Sequence, residues 1–165
     1  MFSIGEKVVY GKTGVCEIVD ICEMQTPGGV GKQPYYKLRP ISERNSTVYA
    51  PINSEKVFIR KVMSKEQALH LISLIPSMQS HDFSGMSQTE VRGYYTDKLN
   101  SHNILDLIEI AVSVYSKNKN DRRKMGTVDM KYKNEAETLL HGELAEALGI
   151  PEDEVPNFIA ESINK

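Results

Sequence analysis

The histidines and the glycine-rich segment are the parts of this sequence whose residue types could do chemistry. The four histidines are scattered, and no HExxH pair or other metal-ligand spacing contains them: His70, His81, His102 and His141. The segment 26–31, Thr-Pro-Gly-Gly-Val-Gly, lacks the Lys-Ser/Thr pair that follows the glycines of a phosphate-binding loop. We therefore interpret it as a hairpin loop. We expect the protein to have no catalytic residues and to hold no metal or cofactor.

A basic stretch in the second half of the chain could bind phosphate groups. Residues 88–133 contain nine basic and six acidic side chains, whereas residues 134–165 contain one and eight, so the formal net charge of -2 hides two surfaces of opposite sign. Clusters of lysine and arginine attract nucleic-acid backbones through counterion release. The candidate phosphate contacts are Arg92, Lys98, Lys119, Arg122, Arg123, Lys124 and Lys131. The alternative is a solvated basic loop that binds nothing.

The first 62 residues have the pattern of β-strands. Short runs rich in β-branched and aromatic residues alternate with turn residues, at positions 8–10, 15–23, 35–39, 47–50 and around 58–62. Five short strands joined by tight turns predict a small curled sheet or barrel.

The strand predicted at residues 47–50 is a candidate binding edge. It ends at Pro51, and proline marks sheet edges because it cannot donate a hydrogen bond to a neighbouring strand. A partner can extend such an edge with a strand of its own, and the backbone hydrogen bonds then supply the affinity. The alternative is an edge that Arg44 and Pro51 protect and that binds nothing.

From Ser64 onward the apolar residues follow a helical period. Ser64 and Gln67 form a capping-box signature at the start of the first helix. Further helices are predicted over residues 88–99, 103–115, 128–148 and 155–163, and the basic run 117–124 is predicted to be a loop. We therefore predict an α+β chain with a β domain over residues 1–62 and an all-α domain over residues 63–165.

The two cysteines and the hydropathy pattern indicate a cytoplasmic protein. Cys16 and Cys22 lie on one predicted strand. At about 3.3 Å per residue their Cα atoms are roughly 20 Å apart, too far for a disulfide. We expect both thiols to be buried and inert. No run is apolar enough for a membrane span, and the N-terminus lacks the layout of a signal peptide.

Several short motifs follow one another in a specific order along nearly the whole chain. In the β domain they are Phe2-x-x-Gly5-Glu6-x-Val8-Val9-Tyr10, Gly14-Val15-x-x-Ile18, Tyr35-Tyr36-x-Leu38 and Thr47-Val48-Tyr49-Ala50-Pro51. In the helical domain they are Leu99-x-Ser101, the helix ending at Tyr115, and Ala136-x-x-x-Leu140-x-x-Glu143-Leu144-Ala145. Together they closely resemble the CarD/CdnL family of bacterial transcription regulators, whose N-terminal module also occurs in the transcription-repair coupling factor.

The resemblance implies a Tudor-like, five-stranded β-barrel that adds an edge strand to the β subunit of bacterial RNA polymerase. It also implies a helical domain that contacts promoter DNA at the upstream edge of the transcription bubble and modulates the stability of the open complex. By the match, the docking strand comprises Thr47, Val48, Tyr49, Ala50 and Pro51. We expect the free protein to be a monomer that joins the nucleoid through the polymerase. The alternative is an adaptor whose acidic tail binds a second protein, without DNA contact.

Two positions depart from the family pattern. Many relatives carry a basic residue where this chain has Tyr49, so we expect one ion pair with the polymerase to be absent. Several relatives place a tryptophan early in the first DNA-facing helix, but this chain has no Trp, and the matching neighbourhood is Ser87-Gln88-Thr89. A polar side chain cannot fill an unstacked base step as an apolar wedge does. We therefore expect weaker DNA binding, mostly to phosphates.

Overall fold

The computed structural model describes residues 1–56, 58–120 and 125–165. The chain divides into two compact units, Met1–Val62 and Met63–Lys165. In the described residues, the regular structure of the first unit is a sheet with one 3₁₀ turn, and that of the second is helical. The predicted α+β composition, with the sheet before the helices, is confirmed.

The described part of the first unit forms an antiparallel sheet of five strands. The strands are β1 (Lys7–Tyr10), β2 (Gly14–Gln25), β3 (Lys32–Pro40), β4 (Val48–Pro51) and β5 (Ile59–Lys61). Their spatial order is β4-β3-β2-β1-β5. A 3₁₀ turn joins β1 to β2, and Gly14 enters β2 with a φ of 82°, in the region that favours glycine. A bulge at Val19 shifts the register between β2 and β3.

The sheet is open along two edges. Among the described residues, β4 pairs only with β3, and β5 pairs only with β1. A closed barrel would require the two outer strands to pair with each other. The predicted closed, Tudor-like barrel is therefore not confirmed, and the two outer strands, of four and three residues, remain separate edges.

One face of the sheet carries the core of the first unit. Buried side chains from the first four strands form it: Val8, Cys16, Ile18, Tyr36, Leu38 and Ala50. Phe2 packs on this cluster, and its N–H donates to the Tyr36 hydroxyl at 2.8 Å. Both cysteines lie on β2 and are free thiols, but the prediction that both are buried is confirmed only for Cys16, because Cys22 is half-buried. Burial raises the pKa of the Cys16 thiol to about 11, which keeps it protonated and unreactive.

The described residues of the second unit form five α-helices. They are α1 (Lys65–Leu74), α2 (Gln88–Asn100), α3 (Ile104–Asn120), α4 (Thr127–Leu148) and α5 (Val155–Ile163). The predicted capping box at Ser64 is present, since its side chain accepts from the N–H of Gln67 and the Gln67 side chain accepts from the N–H of Ser64. No helix in the described ranges is long and apolar enough to cross a membrane.

The helix α3 is longer than the sequence predicts. Residues 117–120 were expected in a loop, but they continue the helix. Lys117 and Lys119 lie in its last turn, where positive charge is favoured by the helix dipole. The Asn118 side chain donates to the Val114 carbonyl at 2.7 Å, and the Lys117 ammonium binds Asp129 on α4. The loop prediction was therefore wrong for this part of the basic run.

Candidate functional site

The strand predicted as a binding edge lies at an edge of the sheet. It is β4, and its register pairs Val48 with Leu38 and Ala50 with Tyr36 on β3. The other side of β4 has no neighbouring strand among the described residues. The backbone of β4 can therefore accept a further strand on that side.

The hydrogen-bond alternation identifies the backbone groups that β4 offers. The N–H of Ile52 donates to the carbonyl of Pro34 at 3.0 Å, so this opposed pair is a hydrogen-bonded one. Bonded and non-bonded pairs alternate along an antiparallel ladder. Val48 and Ala50 therefore direct their N–H and C=O groups to β3, whereas Tyr49 and Pro51 direct theirs outward. Since proline has no N–H, Tyr49 is the residue of β4 with both an outward donor and an outward acceptor.

The side chains of β4 are divided between the two faces of the sheet. Ala50 is fully buried and Val48 packs against the core. Tyr49 lies on the opposite face, beside Lys37 of β3, and 42% of its surface is exposed. Residues 47–51 contain no charged side chain. The edge is thus uncharged and presents one large aromatic ring.

The opposite edge of the sheet is protected. The bonds from Gly11 N–H to Phe58 C=O and from Val62 N–H to Lys7 C=O show that Ile59 and Lys61 direct their backbone groups away from β1. The Lys61 carbonyl already accepts a hydrogen bond from the Arg60 guanidinium at 3.1 Å. The Lys61 ammonium is 3.1 Å from the Glu6 carboxylate. Charged side chains at a strand edge oppose the addition of another strand.

The candidate phosphate contacts differ in how accessible their charges are. Arg92 on α2, Lys119 on α3 and Lys131 on α4 have exposed side chains. The Lys131 ammonium lies 5.5 Å from the centre of the Tyr132 ring, and the residue remains exposed to solvent. Three further candidates, Arg122, Arg123 and Lys124, lie outside the described residues.

Lys98 is held inside the helical unit. Its ammonium lies 2.8 Å from Asp106 and 2.8 Å from Glu109, both on α3. The hydrogen bonds to these two carboxylates raise the pKa of Lys98. Its charge is balanced within the fold, so the structure does not support Lys98 as a phosphate contact. The sequence did not reveal this pairing, because Lys98 lies on α2 and both carboxylates lie on α3.

Two other lysines of the basic stretch are also paired with carboxylates. Lys117 lies 2.8 Å from Asp129, a buried carboxylate that also accepts from the Tyr95 hydroxyl at 2.8 Å. Burial, with the Asp129 hydrogen bond as the second cause, raises the pKa of Tyr95. Lys133 pairs with Glu137 at 2.9 Å. The i,i+4 spacing of that last pair could have been found in the sequence.

Residues 87–89, which the resemblance aligns with the tryptophan of several relatives, lie at a helix cap. The Ser87 side chain accepts from the N–H of Glu90, and the Glu90 side chain accepts from the N–H of Ser87. Gln88 and Thr89 follow as exposed residues in the first turn of α2. This helix start therefore presents polar side chains, and no apolar wedge, to a partner.

The described residues contain no group of three or more His, Cys, Asp or Glu side chains that could hold a metal ion.

No curated protein matches the chain. The family model of the CarD-like/TRCF RID domain matches residues 2–63, which include all five strands and the open edge at β4. The N-terminal unit of this protein is therefore a member of the CarD-like/TRCF RID family.

Proposed function

We propose that the protein is a non-catalytic bacterial transcription regulator that docks on the RNA polymerase β subunit through β4 and contacts promoter DNA through its helical unit. The family match supports a role in transcription through interaction with RNA polymerase, and domains of this family bind the β subunit. The docking strand, the DNA contact and the effect on open complexes are the proposed parts. The setting is the cytoplasm, with a monomer as the free form.

The observation that carries the proposal is the open edge of β4. Tyr49 directs both a donor and an acceptor outward, and residues 47–51 bear no charge that would repel an incoming strand. Added backbone hydrogen bonds give affinity that depends little on the partner's sequence. A four-residue strand offers few of them, so the side chains around β4 must contribute as well.

The exposed cations of the helical unit support contact with DNA. Arg92, Lys119 and Lys131 have accessible charges, and phosphate contacts of this kind are sensitive to salt but not to sequence. With Lys98 engaged by two carboxylates, the described surface offers few such contacts. We therefore expect free protein to bind DNA weakly. Docking on the polymerase would raise the local concentration of DNA and make the contact effective.

An adaptor function without DNA contact is the second candidate. Lys98, Lys117 and Lys133 are all balanced by carboxylates, which reduces the positive charge available to phosphates. Residues 134–165, with one basic and eight acidic side chains, would then bind a basic protein surface. An unchanged lifetime of open promoter complexes in the presence of saturating protein would favour this adaptor.

The docking proposal is tested by Tyr49→Pro. This change removes the outward N–H of β4 and leaves the hydrogen bonds to β3 in place, because those come from Val48 and Ala50. A polymerase carbonyl left without its donor costs about 1–3 kcal/mol. We expect the dissociation constant for purified polymerase to rise about tenfold or more.

The matched control is Lys61→Pro, which changes an outward-facing position of the protected edge. It should leave the affinity for polymerase unchanged. Circular dichroism and thermal melting check that both variants fold. A folded Tyr49→Pro variant that binds as tightly as the unchanged protein would refute docking through β4.

A further inference from the structure

We propose that two copies of this chain pair with each other through β4, antiparallel and about a twofold axis at Tyr49. The partner is then a second copy, so both strands of the contact have the same residues. Self-pairing occupies the edge that the proposed function assigns to the polymerase, so the two contacts compete. This competition alone rests on the proposed function.

The backbone of Tyr49 is suited to a position on a twofold axis. A residue that lies opposite itself in an antiparallel pair must offer a donor and an acceptor on the same side, and Tyr49 directs both outward. The two copies then exchange two hydrogen bonds between their Tyr49 residues. A shift of the register by two residues would place Tyr49 opposite Pro51, which has no N–H to donate. The register centred on Tyr49 is therefore favoured.

The side chains of β4 allow a second copy on both faces of the sheet. Residues 47–51 carry no charge, so no like charges meet across the axis. The two Tyr49 residues lie on the same face with their Cα atoms about 5.5 Å apart, and aromatic pairs across neighbouring strands are favourable. On the other face, the half-buried Val48 lies beside Ala50 of the second copy. Self-pairing therefore covers apolar surface without opposing charges.

The free edge of β5 does not meet these conditions. A twofold axis at Lys61 would place two ammonium groups opposite each other, which is unfavourable across neighbouring strands. The Lys61 carbonyl also accepts a hydrogen bond from the Arg60 guanidinium at 3.1 Å. The edge at β5 therefore provides the control.

The self-pairing is weak because β4 has four residues. Specific, stable interfaces bury about 1,200–2,000 Å² of surface, which is more than two such strands cover. The monomer therefore remains the free form in dilute solution, and the dimer forms as the protein concentration rises.

Sedimentation of the full chain over a concentration series measures the self-pairing. We expect the average mass of the unchanged protein to rise from 18.6 kDa at about 10 μM towards twice that value at about 1 mM. Tyr49→Pro removes the donor of both symmetric bonds, and Tyr49→Arg opposes two like charges, so both variants should stay near 18.6 kDa. Lys61→Pro, the matched control, should associate as the unchanged protein does. Circular dichroism verifies the fold of each variant.

The outcomes separate self-pairing from docking on the polymerase. A mass that stays at 18.6 kDa up to about 1 mM, or association that Tyr49→Pro leaves intact, would overturn the self-pairing. Polymerase in an excess of the protein should hold one copy of this chain, because both contacts use β4, and two copies would overturn the competition. The docking proposal has its own test, and it fails if Tyr49→Pro binds polymerase normally.

Discussion

The two outer strands of the sheet, β4 and β5, are both short but differ in how their free edges are protected. On β5, the Lys61 carbonyl is occupied by Arg60 and the Lys61 ammonium is paired with Glu6. On β4, Tyr49 presents an outward N–H and C=O without a charged neighbour in the strand. Proteins usually protect exposed strand edges because these promote unwanted pairing. The free edge of β5 thus carries charged side chains that oppose another strand, whereas the free edge of β4 carries none, and the proposed docking uses β4.

The cations of the helical unit also differ in whether their charge is already paired within the fold. Lys98 and Lys117 are bound by carboxylates of neighbouring helices and stabilise the fold. Lys119 and Lys131 are exposed and carry charge that a phosphate can meet. Residue type alone therefore does not identify a binding group in either unit. A lysine or a backbone group can bind another molecule only where no group within the fold already pairs with it.

The largest effect is expected from Val48→Pro. The Val48 N–H faces β3, so this change removes a hydrogen bond within the sheet and leaves the Leu38 carbonyl without its donor. We expect the free energy of unfolding to fall by about 1–3 kcal/mol, together with a loss of polymerase binding. Thermal melting separates it from Tyr49→Pro, which should weaken binding about tenfold or more with little change in stability. Similar melting temperatures for the two variants would contradict the assigned alternation.

A smaller effect is expected from removing exposed cations. The double variant Lys119→Ala, Lys131→Ala should weaken DNA binding and reduce the slope of log affinity against log salt by about 2, because two fewer phosphates are neutralised. Fluorescence anisotropy with a duplex over a salt series measures it. Lys98→Ala is the control, and it should lower stability while leaving the slope unchanged. Equal slopes for the double variant and the unchanged protein would favour the adaptor.

The smallest effect concerns the pH dependence of the protected edge. The hydrogen bond from the Ser3 N–H, followed by the contact with Lys61, lowers the pKa of Glu6. A carboxyl whose pKa is lower in the folded state stabilises it above the unfolded pKa, and this stabilisation is lost as the pH falls through the folded value. We expect the protection factors of amides near β5, corrected for the intrinsic pH dependence of exchange, to fall as the pH drops below 4.5, the ordinary pKa of a glutamate. The Glu6→Gln variant should show no such change, and an identical acid response in both proteins would exclude Glu6 as the cause.

The sequence predicted the helices and strands better than it predicted which of their polar groups are free to bind a partner. The β-branched runs, the capping box at Ser64 and the edge marked by Pro51 depend on local residue types, and the structure contains all three. The orientation of Tyr49 was not predictable, because it depends on which β3 residue each β4 residue faces. The partners of Lys98 were missed for the same reason, since they belong to another helix. Contacts between elements are fixed only when the chain packs.

Hydrogen exchange at the Tyr49 amide tests docking through β4 most directly. The full chain is measured alone and in complex with RNA polymerase, and the amides of Tyr49 and Lys61 are followed in both states. In the free protein both N–H groups point away from their neighbouring strands and should exchange readily. Polymerase should strongly slow the exchange of the Tyr49 amide and leave that of Lys61 unchanged. An unchanged Tyr49 amide in a saturated complex, or protection at Lys61 in its place, would contradict the account.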